Sequence, residues 1–77
     1  MSYLKIVVAT PVGTFEGFGH TESCDMEALI QSRDQLQAGI DSMETLTLFE
    51  STSDPESKQI TFPGTILKNS VVIFRII

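Results

Sequence analysis

Apolar and polar positions alternate at the two ends of the chain and recur at three- and four-residue steps in its middle. Tyr3 to Thr10, YLKIVVAT, is rich in β-branched residues and predicts a strand. Pro11 stops regular pairing and PVG carries turn chemistry. GTFEGFGH, Gly13 to His20, predicts a second short strand, its glycines marking bulges or sharp bends. From Thr21 the period changes. Met26, Leu29, Ile30, Leu36 and Ile40 make an apolar stripe, with Arg33, Asp34 and Gln37 on the wetter side. Thr21, Ser23 and Asp25 are candidate N-caps, Glu22 and Glu27 suit the positive end of the dipole, and Gly39 sits where a C-cap glycine belongs. The spacing predicts a helix from about Cys24 to Ala38. ETLTLFES then alternates as a strand, and STSDPES is a polar loop with an Asp54-Pro55 turn signal. KQITFPGTIL and VVIFRII predict two further strands around Lys68-Asn69-Ser70, a tight hairpin turn. Pro63-Gly64 bends the first of these or places a bulge in it.

The predicted order is β-β-α-β-β-β: a mainly β, α+β single domain over residues 1–77. Five short strands with glycine-marked bends suit a strongly bent antiparallel sheet or a small SH3-like barrel. An open sheet with one packed helix is the alternative.

The last strand changes the picture. Val71, Ile73 and Ile77 share one face, and Val72, Phe74 and Ile76 share the other. A solvated antiparallel sheet shows polar residues on one face, so an apolar run on both calls for cover on both. A chain of 77 residues buries only about 60% of its unfolded surface. Two accounts stand. In one, a second copy covers the spare face or edge, making Val71, Val72, Ile73, Phe74 and Ile76 an oligomer interface, with head-to-tail edge pairing closing into a ring. In the other, the strand is central in its own sheet.

Composition narrows the setting. Cys24 is the sole cysteine, and the apolar run near the N-terminus is too short for a secretion signal or a membrane span. These features predict an intracellular, cytoplasmic protein without membrane contact. His20, Glu22, Cys24 and Asp25 cluster, but one histidine and one cysteine fall short of a structural zinc set, so no metal or other cofactor is expected. His20 and Cys24 stand four apart, the spacing of a thiolate–imidazole pair on a helix, with no third orienting group. A net charge of −5 argues against broad binding to polyanions. No carboxylate pair stands out for acid–base work.

GTILKNSVVIFRI resembles the second motif of Sm and Sm-like proteins: a glycine, a short apolar run, a basic turn and an apolar strand, with Lys68-Asn69 where that family carries Arg-Gly or Lys-Gly. Gly13, Phe15 and Gly17, followed by Asp25-Met26, are similar to its first motif, although Glu27 stands where the family has an asparagine. The helical stretch also takes the place of the family's third strand. The resemblance implies a small barrel that assembles into rings by edge-strand pairing. It further implies binding of single-stranded RNA or DNA around a pore, through Lys68 and Asn69 with Met26 and Glu27.

The leading expectation is therefore a non-enzymatic, ring-forming homo-oligomer that binds single-stranded nucleic acid. The alternative is a small structural or adaptor protein, such as a phage or bacterial assembly component, with no nucleic-acid role. A thiol enzyme using Cys24 is a third class.

Overall fold

A computed structural model describes residues 2–19, 25–51, 56 and 58–77. It shows an α+β fold in the predicted order. The strands are β1 (Leu4–Thr10), β2 (Gly13–Phe18), β3 (Thr45–Phe49), β4 (Gln59–Pro63) and β5 (Val71–Ile76). The helix α1 (Met26–Gly39) lies between β2 and β3, and a single helical turn, α2 (Gly64–Leu67), lies between β4 and β5. All strands join one antiparallel sheet in the order β4-β3-β2-β1-β5. The sheet is not closed, because β4 and β5 do not pair.

The β1–β2 hairpin turns on Pro11 and Val12. The Thr10 hydroxyl donates to the Gly13 carbonyl at 2.8 Å and accepts from the Val12 N–H at 3.3 Å. β1 and β2 then pair one-to-one from Thr10–Gly13 to Lys5–Phe18, so the glycines of β2 mark no bulge. Gly17 answers to a different demand. A Cβ there would lie 2.6 Å from the Cβ of Leu48 and 3.0 Å from the carbonyl oxygen of Phe49. Only a residue without a side chain lets β3 come this close to β2. Among the described residues the two strands pair at Phe18–Phe49 alone. The sheet bends sharply there. In a flat sheet β2 and β4 would stand roughly 10 Å apart, yet the rings of Phe15 and Phe62 meet at 5.5 Å.

Alternation on β1 places Leu4, Ile6 and Val8 on the concave face, where all three are fully buried. Leu46 and Leu48 of β3, Phe62 of β4, Leu67 of α2 and Phe74 of β5 complete that face, and Leu29 of α1 closes it. Asp25 caps α1 by accepting from the Ala28 N–H at 2.8 Å. Leu36 and Ile40 pack beside Leu29, whereas Met26 and Ile30 stay exposed, so the buried stripe is narrower than the spacing predicts. Gly39 does not adopt a left-handed cap; its φ is −97°, and the chain runs on into a 3-10 turn, Ile40–Ser42.

The hairpin expected at Lys68-Asn69-Ser70 does not form. β4 ends at Pro63, and Gly64 fits tightly under the Met43 carbonyl oxygen. Thr65, Ile66 and Leu67 coil instead of extending. Asn69 and Ser70 cap that coil: the Asn69 side-chain amide donates to the Thr65 carbonyl at 3.1 Å, and the Ser70 hydroxyl donates to that of Ile66 at 2.6 Å. α2 thus carries the chain from one edge of the sheet to the other, where β5 pairs with β1. The alternative of a central last strand is overturned, because β5 is an edge strand. Among the described residues no helix is long and apolar enough to cross a membrane.

The tight β2–β3 approach yields a test. Gly17→Ala forces Leu48 or the backbone to shift, an overpacking that costs about 1–3 kcal/mol. Urea unfolding followed by circular dichroism should show a lower midpoint for G17A; an unchanged midpoint contradicts the close approach.

Candidate interaction edge

The antiparallel ladder between β1 and β5 fixes where the backbone of β5 points. Tyr3 and Ile77 exchange both backbone hydrogen bonds, at 3.0 Å each. Such bonded pairs alternate along an antiparallel ladder. The register then makes Lys5–Arg75, Val7–Ile73 and Ala9–Val71 bonded pairs as well. The N–H and C=O groups of Val72, Phe74 and Ile76 therefore point away from β1, to the open edge. Among the described residues no other backbone bond reaches them.

The opposite edge is built differently. Glu50 donates to Lys58 at 2.9 Å and Gly64 to Glu44 at 2.7 Å, which sets the parity of the β3–β4 ladder. Gln59, Thr61 and Pro63 are the residues of β4 whose backbones face outward. Pro63 has no N–H to offer, and proline on an edge strand is a common device against unwanted pairing. β5 has no such device. It carries no proline, and its register with β1 runs unbroken from Ala9–Val71 to Leu4–Ile76, without a bulge. Its one charge, Arg75, lies on the convex face. On that face Val71 is 64% exposed, Ile73 46% and, just beyond the strand, Ile77 55%. On the concave side Phe74 is buried in the core, with Val72 and Ile76 packed against it.

Lys5 lies between Arg75 and Phe18 on the convex face and reaches Glu16 at 3.8 Å. Arg75 thus faces a like charge across the ladder, and no ion pair to it occurs among the described residues.

Beside the start of β5 lies an apolar groove of about 430 Å³. Pro11, Val12, Phe15, Phe62 and Ile66 form its walls, and Thr10, Thr65 and Asn69 its polar rim. Lys68 lies on another side of α2, in a cleft of about 330 Å³ that it shares with Asp41 and Glu44.

The residues expected to form a nucleic-acid site do not converge within the chain. Lys68 and Asn69 follow α2, which packs on the 3-10 turn at the C-terminal end of α1. Met26 and Glu27 open α1. The 14-residue α1, about 21 Å long, stands between the two groups. Asn69 spends its amide on Thr65. His20, Glu22 and Cys24, the basis of the thiol and metal readings, lie outside the described residues, and Asp25 serves as a helix cap. Sequence reasoning missed the groove, which needs Phe15 and Phe62 brought together from distant segments.

Comparison with known protein families, with curated proteins and with solved structures finds no match.

A paired substitution checks the backbone directions at β5. Val72→Pro removes an N–H that faces the open edge, so V72P should fold with near wild-type circular dichroism. Ile73→Pro removes an N–H bonded to Val7, leaves that carbonyl without its donor and should lose about 1–3 kcal/mol. Equal effects of the two would contradict the assigned parity.

Proposed function

We propose that this protein is a non-enzymatic structural or adaptor protein that works by strand addition at β5. One observation carries the reading. The outward backbone groups of Val72, Phe74 and Ile76 stand on an edge flanked by exposed apolar side chains and lacking every device that blunts the other edge. Main-chain bonds to an added strand supply affinity, and the alternating side chains supply selectivity.

A ring built by head-to-tail pairing needs β4 of the next copy to accept β5. Pro63 weighs against that arrangement, because it sits on the outward-facing side of β4. The single-strand nucleic-acid reading rests on Lys68 and Asn69. Two carboxylates in the Lys68 cleft weaken the local field for a polyanion, and the net charge of −5 does so at long range.

The test uses two fluorescent probes. A peptide of the β5 sequence, VVIFR with a soluble tail, should bind the wild-type chain saturably and fail to bind V72P. Labelled oligo-U should not bind even at low salt. Oligo-U binding that weakens as salt rises, with no peptide binding, would replace strand addition by the nucleic-acid reading.

A further inference from the structure

We infer that the strand added at β5 is the β5 of a second copy, paired antiparallel about a twofold axis through Phe74. The inference rests on strand addition at this edge and names the partner.

The argument begins with symmetry. A twofold contact brings the same patch of both copies together, so the patch must complement itself. The stretch VVIFRII does so about Phe74. Val71 mirrors Ile77, Val72 mirrors Ile76, and Ile73 mirrors Arg75. Charge points the same way. Residues 64–77 contain Lys68 and Arg75 and no acid, so residues 1–63 hold all ten acidic side chains and three of the five basic ones, a net −7. Two copies meeting at β5 keep their acidic surfaces apart.

Backbone parity then selects the register. Outward-facing residues of one strand pair with outward-facing residues of the other. With Phe74 opposite Phe74 of the second copy, Val72 falls opposite Ile76 and every outward N–H and C=O finds a partner. On the convex face Val71 covers Ile77, and Ile73 lies along the aliphatic stem of Arg75. Sliding by one permitted step in either direction is worse. One slide sets Ile76 opposite Ser70, whose N–H already donates to the Leu67 carbonyl at 3.2 Å. The other sets Arg75 opposite Arg75, and like charges directly across a ladder destabilise it.

This register makes residue 73 of one copy and residue 75 of the other a non-bonded pair, with Cα atoms about 4.5 Å apart. That spacing accepts a disulfide. Both side chains are exposed, so substitution spares the core. Ile73→Cys and Arg75→Cys chains, each in a Cys24→Ser background, are oxidised separately and as a mixture. The mixture should give a non-reducing gel band at twice the chain mass of 8.5 kDa, and neither variant alone should. Self-linking of I73C or of R75C assigns one of the two slid registers and overturns the Phe74 axis. Sedimentation equilibrium of the wild-type chain provides the second measurement. A dimer is expected, and a monomer across the micromolar range overturns self-pairing. Binding of the β5 peptide by such a monomer leaves strand addition at this edge standing while excluding a stable homodimer.

Discussion

The ladder between β1 and β5 governs the rest of this molecule. It places Phe74 beside Ile6 and Val72 beside Val8, so the concave face gains its last wall. It also decides which backbone groups of β5 are consumed and which are left. Without it, α2 has no edge to deliver the chain to, and the core between α1 and the sheet stays open on one side. The same ladder that completes the core therefore creates the unpaired edge. In a chain of 77 residues α1 already covers the concave face, and nothing else among the described residues extends the sheet past β5.

The two edges show how local sequence controls association. Pro63 does two jobs in β4. It stands at an outward-facing position, and its extended conformation, with φ −70° and ψ 154°, leads into α2. β5 has uninterrupted β-branched and aromatic residues, good for pairing with β1 and equally good for pairing with something else. Natural sheets commonly protect such strands with charge, proline or a bulge. Arg75 is the one charge on β5, and the neighbouring exposed positions of its face, Val71 and Ile73, are apolar.

Much of the fold was legible because it is local. The β1 alternation, the Pro11 turn and the Asp25 cap each depend on residues within a few positions of one another. The order of elements followed from them. The hairpin at Lys68-Asn69-Ser70 was misread because Thr65, Ile66 and Leu67 are a short apolar run that suits either a strand or a coil. Their conformation is settled by Gly64 packing under Met43 and by the two caps from Asn69 and Ser70. Gly17 was visible as a glycine, but its reason, the approach of Leu48, lies about thirty residues away in sequence. The exposed apolar face of β5 was legible from alternation alone. Its place at an edge was not, since the pairing of β5 with β1 spans nearly the whole chain.

Amide hydrogen exchange, resolved by residue at two protein concentrations, tests the central claim most directly. In a lone subunit the amides of Ile73 and Arg75 are held by β1, while those of Val72, Phe74 and Ile76 face solvent. Raising the concentration should slow exchange at the latter three and leave the former two unchanged. Fast exchange at those three positions at every concentration would contradict the account.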